Sequence, residues 1–210
     1  MSSAKVAVVD YSAGNLTSVA LALRHLGYDP LVTSRPEDIA AADRVIFPGV
    51  GAAGAAMENI ATRGLDESLK AVVARGRPVL GICIGCQIVL DHSEEDSGTT
   101  CLGLIPGKVR RFQFSDGIDR KVPHMGWNEV EFVQNHALTD GIDTGSQFYF
   151  VHSYHPVPTE LSVVYGYSTY GDVRFAAFLA AGNLATVQFH TEKSGPPGLR
   201  LLSNFLSWTP

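Results

Sequence analysis

The chain has 210 residues, of which 45% are hydrophobic and 18% are charged, and its formal net charge at pH 7 is −5. This length suits one α/β domain, and the composition is ordinary for a globular enzyme. The negative net charge and the lack of a Lys/Arg cluster exclude an obvious binding surface for nucleic acid or for an anionic membrane. No apolar run reaches the roughly 18 residues of a membrane span, so we expect a cytoplasmic protein with one domain over residues 1–210.

Strand-like runs alternate with helical patterns in the first half of the chain. The runs lie at residues 6–10, 31–33, 45–47 and 78–80, and the helical patterns at residues 16–26, 54–62 and 66–75. Asn15 is the expected N-cap of the first helix, and Gly27 is expected to end it. The alternation predicts an α/β fold whose central sheet is mostly parallel, with helices on both faces.

The pattern changes after residue 106. Strand-like runs at residues 109–112, 128–133, 148–151, 163–167, 176–179 and 184–189 are mostly separated by short turns. This spacing predicts an antiparallel extension of the sheet. A closing helix is expected after Pro196-Pro197.

The segment 79–87 joins a buried strand to a helix through Gly-x-Cys-x-Gly, with Cys83 at its centre. A sharp strand-to-helix turn places its central residue at a helix N-terminus, and flanking glycines give the backbone room to bend. The helix dipole favours the thiolate, which is the nucleophilic form of cysteine. The N–H group of Ile84 points the same way, as an oxyanion donor would.

The cysteines leave other interpretations open. Cys83 and Cys86 form a Cys-x-x-Cys pair of the thioredoxin type, and a free cysteine is often simply buried. Three cysteines are too few for a disulfide framework and fit a reducing cytoplasm. Cys83, Cys86, Cys101 and His92 do not complete a zinc pattern, so we expect no metal site.

His190 and Glu192 follow the last predicted strand. Residues two apart in an extended segment point to the same side, so the carboxylate can fix the imidazole tautomer. Cys83 also follows a strand, and ligands of open α/β sheets bind outside the carboxyl ends of the strands. A thiolate, an imidazole and an orienting carboxylate form a nucleophilic triad, which makes these three residues the candidate catalytic set.

Residues 49–54 match Gly-x-Gly-x-x-Gly, but a dinucleotide site requires this motif after the first strand. Here the motif follows the third strand, so we expect no cofactor and instead a second oxyanion donor at Gly49 and Val50. Three histidines near aromatic residues, His124, His152 and His155, are interpreted as hydrogen-bonded structural groups.

Several motifs together resemble those of class I glutamine amidotransferases. They are Gly-Ile-Cys-x-Gly-x-Gln at 81–87, Pro-Gly-x-Gly at 48–51 and Gln-Phe-His-x-Glu at 188–192. More narrowly, the chain is similar to the glutaminase subunits of imidazole glycerol phosphate synthases. Pro-His-Met-Gly-Trp-Asn at 123–128 is the most specific motif for this narrower group, and the resemblance runs from residue 10 to residue 194.

The resemblance implies a flavodoxin-like fold and a glutaminase mechanism. Cys83 attacks the side-chain amide of glutamine, His190 relays protons, and Glu192 orients His190. The oxyanion donors are Ile84 and the Gly49–Val50 peptide, which is expected to turn before its N–H group can serve. The residues implied to hold glutamine are Gln87, Glu95, Ser153 and Tyr154.

The resemblance also implies a partner, a (β/α)8-barrel cyclase subunit that forms a heterodimer with the chain and receives the ammonia. The positions implied at the interface are Trp127, Tyr149 and Lys193. The joint reaction makes imidazole glycerol phosphate and an aminoimidazole carboxamide ribotide in histidine synthesis. Low activity is expected without the partner.

Two positions depart from the family pattern. Thr191 stands where proline is usual, so a less rigid turn is expected between His190 and Glu192. Cys86 stands where methionine is usual, which raises the hypothesis that a reversible Cys83–Cys86 disulfide silences the enzyme. The competing interpretations are the glutaminase of pyridoxal phosphate synthase, a thiol–disulfide oxidoreductase and a non-catalytic interaction protein.

Overall fold

A computed structural model describes residues 4–12, 14–118 and 120–210. The helices of these residues are α1 Leu16–His25, α2 Pro36–Ala41, α3 Ala53–Thr62, α4 Leu65–Ala74, α5 Ile84–Gln87 and α6 Gly195–Ser207. The strands are β1 Val6–Val9, β2 Leu31–Thr33, β3 Arg44–Gly49, β4 Val79–Cys83, β5 His92–Ser93, β6 Thr99–Thr100, β7 Gly107–Arg111, β8 His124–Phe132, β9 Ser146–His152, β10 Tyr154–Pro158, β11 Val164–Tyr170, β12 Val173–Ala181 and β13 Leu184–Val187.

A nine-stranded sheet in the order β2-β1-β3-β4-β13-β12-β11-β8-β9 forms the centre of the molecule. The five strands from β2 to β13 are parallel to their neighbours, and the pairs from β13 to β9 are antiparallel. The predicted α/β fold, with a parallel sheet and an antiparallel extension, is therefore confirmed. The break between the two halves falls at β13, where the connection changes from crossover helices to hairpins.

Helices cover both faces of the parallel half. On one face, α1 and α6 pack against the alternate strand residues that include Val8 and Ile82. On the other face, α2, α3 and α4 pack against the residues between them, such as Phe47 and Val79. Because these strands are buried on both sides, they carry continuous apolar runs, which is why the sequence showed them clearly.

A second sheet, in the order β10-β7-β5-β6, was not predicted, and it contains β7, which was expected in the extension of the central sheet. Its strands β5 and β6 have two residues each, and β10 contains Pro156 and Pro158. Proline cannot donate to a ladder and is tolerated where a strand lies at a sheet edge, as β10 does. The second sheet brings the chain near residue 95 and the start of β10 to the same end of the molecule as Cys83.

Some predicted boundaries were wrong. The helix after Cys83 is a single turn, α5, although the apolar run continues to Leu90. The short helix α2 was missed, and β8 begins at His124, four residues before the predicted strand. Gly126 hid this part of β8, because glycine is a poor strand former.

The last helix, α6, packs closely on the turn that carries the His-x-Glu pair. A Cβ atom on Gly198 would overlap the carbonyl oxygen of Thr191 and approach Cβ of Ser194 to 2.8 Å. Only glycine therefore allows α6 to lie this close to residues 191–194.

We predict that Gly198→Ala lowers the free energy of unfolding by about 1–3 kcal/mol, because the added methyl group must push α6 away from a buried backbone. Urea unfolding monitored by circular dichroism measures this loss. The control Ser203→Ala lies at an exposed position of the same helix and should change stability by less than about 0.5 kcal/mol. Equal unfolding midpoints for Gly198→Ala and the unaltered chain would contradict the packing described above.

Candidate active site

Four parallel strands end at one edge of the sheet and bring the candidate residues together. Cys83 is the last residue of β4, and Gly49, the last residue of β3, is its register partner. His190 follows β13 by three residues, and the loop after β1 carries Tyr11 and Asn15. The strands are neighbours in the order β1-β3-β4-β13, so their carboxyl ends form one crevice.

The backbone at Cys83 adopts φ 56° and ψ −107°, a conformation that residues other than glycine rarely adopt. The turn around it is tightly packed: a Cβ on Gly85 would overlap the carbonyl oxygen of Phe47, and a Cβ on Gly81 would lie 2.7 Å from the oxygen of Gly85. Strain of this kind costs about 1–3 kcal/mol and persists where the surroundings enforce it. The predicted sharp turn is present.

His190 and Glu192 form a buried pair. Nδ1 of His190 lies 2.7 Å from Oε1 of Glu192, and neither side chain is exposed to solvent. Burial alone would lower the pKa of His190, but Cys83 and Glu192 stabilise the imidazolium and raise that pKa. Since Nδ1 is engaged with Glu192, Nε2 is the nitrogen left for Cys83, and it has no hydrogen-bond partner within the described residues. Cys83 lies close enough to raise the pKa of His190, so the three candidate catalytic residues form one group.

Burial alone would raise the pKa of Glu192, but hydrogen bonds from His190 and Asn15 lower it. Nδ2 of Asn15 donates to Oε1 of Glu192 and lies 3.2 Å from Nδ1 of His190. Asn15 occupies the N-cap position of α1, as predicted, but its side chain makes no capping hydrogen bond. Asn15 was missed as a site residue since its sequence position resembles that of an ordinary N-cap.

The turn at residues 190–194 is held by a hydrogen-bonded backbone despite Thr191. Oγ of Ser194 donates to the carbonyl oxygen of His190 at 2.5 Å and accepts from the N–H of Tyr149 at 3.0 Å. The N–H of His190 donates to the carbonyl oxygen of Tyr149 at 2.9 Å. The less rigid turn expected from Thr191 is therefore compensated by Ser194 and by the strand β9.

A cavity of about 260 Å³ opens beside the cysteine. This volume is slightly below the roughly 300–1,000 Å³ of sites for drug-sized ligands, so it suits an amino acid. Cys83 lines it, and so do the four residues that the resemblance suggested for the ligand: Gln87, Glu95, Ser153 and Tyr154. His190 and Glu192 are not part of the lining.

Two of the lining side chains are already fixed by the protein. Nε2 of Gln87 donates to the carbonyl oxygen of Tyr154 at 2.8 Å and to Oε1 of Gln188 at 3.0 Å, so its own Oε1 is the atom left for a ligand. Oε2 of Glu95 accepts from the N–H of Ala53 at 2.7 Å, at the start of α3. Burial raises the pKa of Glu95, and the Ala53 hydrogen bond opposes this shift.

The three residues suggested as oxyanion donors surround the same cavity. Val50 and Ile84 line it, and Gly49 immediately precedes Val50. A Cβ on Gly49 would overlap the hydroxyl group of Tyr11 and the side chain of Ile84, so only glycine fits there. The Tyr11 hydroxyl is buried and has no hydrogen-bond partner within the described part of the chain.

Trp127, Tyr149 and Lys193, the residues suggested for a partner interface, are neighbours in space. Trp127 pairs with Tyr149 across β8 and β9, with ring centroids 6.1 Å apart. Nζ of Lys193 lies 5.8 Å from the Tyr149 ring. Trp127 is 54% exposed, and Met125 on the same strand is 63% exposed. An exposed face with two large apolar side chains therefore lies beside the His190 turn.

The second cysteine of the Cys-x-x-Cys pair is poorly suited to redox chemistry. Cys86 is fully buried, and its sulfur accepts from Oγ1 of Thr186 at 3.3 Å. Burial raises the pKa of the Cys86 thiol to about 12, which suppresses its thiolate. Cys83 and Cys86 also pack in different apolar clusters, so a disulfide between them would require the turn to distort.

His124 and His152 form a buried hydrogen-bonded pair, as their structural interpretation predicted. Nδ1 of His152 donates to the carbonyl oxygen of Tyr154 at 2.8 Å, so its Nε2 accepts from Nδ1 of His124 at 3.1 Å. Nε2 of His124 then accepts from Nδ2 of Asn128 at 3.2 Å. Burial lowers the pKa of His124 to about 4 and that of His152 to about 3, so both rings are neutral near pH 7. His155, also buried, has its pKa lowered by the same cause.

Because these buried histidines are neutral in the folded chain, we predict that the free energy of unfolding falls in acid. The unfolded chain takes up protons near pH 6.5, whereas folded His124 does so only near its lowered pKa, so the free energy of unfolding falls as the pH drops from 7 to 5. The loss attributable to His124 is on the order of 2 kcal/mol at pH 5. Urea unfolding at both pH values measures it.

The variant His124→Gln removes this titration, so its stability should depend less on pH although it is lower at pH 7. The control His25→Gln lies at an exposed helix position and should keep the pH dependence of the unaltered chain. An unchanged pH dependence in His124→Gln would show that this ring is not held neutral.

Groups of three or more His, Cys, Asp or Glu side chains able to hold a metal ion are absent from the described ranges. None of the helices in the described part of the chain combines the length and apolarity needed to cross a bilayer.

Comparisons with known proteins give the same family throughout. The class-I glutamine amidotransferase family model matches residues 7–208. The imidazole glycerol phosphate synthase subunit HisH of Nitratidesulfovibrio vulgaris strain DP4 is 52% identical over 204 residues, which cover 95% of this chain and 94% of that protein. The subunit of the same name from Thiobacillus denitrificans is 48% identical over 215 residues, covering 99% and 93%.

A solved structure described as PurLQS from Thermotoga maritima has the same fold, with a TM-score of 0.71 and 19% identity over 98% of each chain. At this level of identity the likeness concerns the fold alone. The fold, the sequence match and the grouping of cysteine, histidine and glutamate at one cavity agree, and the chain belongs to the class I glutamine amidotransferase family.

Proposed function

We propose that this chain is the glutaminase subunit of an imidazole glycerol phosphate synthase, which releases ammonia from glutamine for histidine biosynthesis. The observation that carries the proposal is the buried Cys83–His190–Glu192 group beside a cavity of amino-acid size. The names of relatives about 50% identical over nearly the whole chain support the synthase and argue against the glutaminase of pyridoxal phosphate synthase.

The first half of the reaction uses Cys83 as nucleophile and His190 as acid. The raised pKa of His190 keeps the imidazole protonated at neutral pH, as a partner of the thiolate. The sulfur forms a bond to the side-chain carbonyl carbon of glutamine, and the bond from that carbon to nitrogen breaks. The leaving NH2 group takes the proton of His190 and departs as ammonia, which leaves a γ-glutamyl thioester.

The second half of the reaction is hydrolysis of the thioester. Once the sulfur is acylated it no longer carries a charge, so His190 loses one of the groups that raise its pKa and can accept a proton from water. The water oxygen attacks the thioester carbon, glutamate leaves, and the thiolate and the imidazolium are restored. Glu192 keeps the imidazole oriented through both halves.

The peptide N–H groups of Ile84 and Val50 are the proposed donors to the oxyanion formed in each half. The Gly49–Val50 peptide supplies the second donor after a turn that partner binding favours, so the isolated chain has low activity. Gln87, Glu95, Ser153 and Tyr154 hold the substrate. Glu95 is the acid among them and suits the ammonium group of an amino acid.

The proposed partner is a (β/α)8-barrel cyclase subunit, and the proposed docking face contains Trp127, Tyr149 and Lys193. This face adjoins the His190 turn, so ammonia would leave the catalytic group close to the interface. A single domain and a cytoplasmic location follow from the same proposal. A thiol–disulfide oxidoreductase is a weaker alternative, because burial raises the pKa of the Cys86 thiol to about 12.

We predict that Cys83→Ala lowers glutamine hydrolysis by at least about 10⁴-fold, because the nucleophile is lost. In complex with a barrel cyclase, the same variant should still make imidazole glycerol phosphate from added ammonium salt. Enzymatic glutamate detection and product chromatography measure the two activities. The control Cys101→Ser changes a cysteine outside the cavity lining, and it should retain both the glutamine-hydrolysing and the ammonia-dependent activity. Glutamine-dependent synthesis by Cys83→Ala would refute the proposal.

We predict that Trp127→Ala weakens binding of the barrel cyclase by about thirty-fold or more, since a central exposed tryptophan is a typical interface hot spot worth about 2 kcal/mol. Isothermal titration calorimetry measures this change. The control Leu161→Ala removes a side chain that is 69% exposed and lies outside the proposed face. An equal Kd for both variants would place the interface elsewhere.

A further inference from the structure

The side chain of Asn15 meets the catalytic pair from a different part of the chain. It lies on the loop between β1 and α1, 175 residues from His190. Its Nδ2 donates to Oε1 of Glu192 and lies 3.2 Å from Nδ1 of His190. Two groups, the imidazole of His190 and the amide of Asn15, therefore converge on one oxygen atom of the Glu192 carboxylate.

We propose that Asn15 is a positioning residue that keeps Glu192 ionised and aimed at Nδ1 of His190. This inference depends on the proposed glutaminase function, because it assigns Asn15 to the same catalytic group. Asn15 does not line the cavity and acts on the reaction only through Glu192 and His190.

Few hydrogen bonds stabilise the negative charge on Glu192. Its side chain is fully buried, and Oε2 has no hydrogen-bond partner within the described residues. Oε1 accepts from His190 and from Asn15. A buried carboxylate with one donor fewer favours its protonated form. Protonated Glu192 would no longer stabilise the imidazolium, and the Nδ1–H tautomer of His190 would lose its fixed partner.

The backbone of Asn15 supports the same role. It adopts φ 80° and ψ 0°, the left-handed conformation, and the side chain caps no N–H group of α1. Asparagine, aspartate and glycine are the residues that tolerate this conformation best. Among these, only asparagine brings a hydrogen-bond donor to the Glu192 carboxylate, whereas aspartate would bring a second negative charge.

Two variants that preserve the backbone test the proposal in the full chain with a barrel cyclase present. Asn15→Gly removes the amide and retains the left-handed conformation, so we expect kcat for glutamine hydrolysis to fall about ten- to a hundred-fold. The KM for glutamine should stay within about two-fold, since Asn15 does not line the cavity. Asn15→Asp should be less active than Asn15→Gly at pH 8, because two carboxylates then face each other.

The pH profile separates positioning from a purely structural role. In Asn15→Gly, the acid limb of kcat should move to higher pH by about one unit, because Glu192 loses a hydrogen bond to its charged form. In Asn15→Asp, activity relative to the unaltered chain should rise as the pH is lowered from 8 to 6, since the facing carboxylates then share a proton. A residue that only shaped the loop would change stability and leave both profiles unaltered.

The control is Asn204→Ala, which removes an amide that donates to the carbonyl oxygens of Leu138 and Asp140. This control variant should have the same kcat, KM and pH profile as the unaltered chain. Cys83→Ala is assayed in parallel: if it hydrolyses glutamine, the proposed function itself fails. If Cys83→Ala is inactive while Asn15→Gly keeps the kcat and acid limb of the unaltered chain, the inference about Asn15 is overturned and the glutaminase proposal stands.

Discussion

The approach of the Cys83 turn to the His190 turn depends on the common level at which β4 and β13 end. These strands are direct neighbours with Val187 beside Ile82, so Cys83 and the residues after β13 leave the sheet together. The one-turn helix α5 follows Cys83 directly, and the turn at 191–193 follows His190 directly. A register shift in this one strand pair would separate them, whatever the rest of the molecule did.

Opposite charges on neighbouring side chains lower the free-energy cost of burying His190 and Glu192. An imidazolium and a carboxylate are each costly to remove from water, but here His190 and Glu192 lie next to each other, and each raises or lowers the pKa of the other toward the charged form. The amide of Asn15, which is a neutral group, donates a further hydrogen bond to the Glu192 carboxylate. Because solvent does not reach the His190 and Glu192 side chains, their protonation is controlled by these neighbours.

The sequence predicted the parallel half of the fold and singled out Cys83, His190 and Glu192 as catalytic candidates because both have strong local signals. Buried parallel strands show continuous apolar runs, and a glycine-flanked cysteine after such a strand has few structural explanations. The first four residues of β8 and the proline-containing β10 were missed, since glycine and proline are poor strand formers and tertiary packing decides the conformation there. The contact of Asn15 with Glu192 could not be predicted, because it spans 177 residues and the position of Asn15 is equally typical of a helix cap.

The link between the exposed face at Trp127 and His190 runs through main-chain atoms. Tyr149 accepts from the N–H of His190 through its carbonyl oxygen, and its own N–H donates to Oγ of Ser194. Any residue except proline at position 149 can make these two hydrogen bonds. The side chain at position 149 can therefore vary in size and polarity without removing the backbone support of His190.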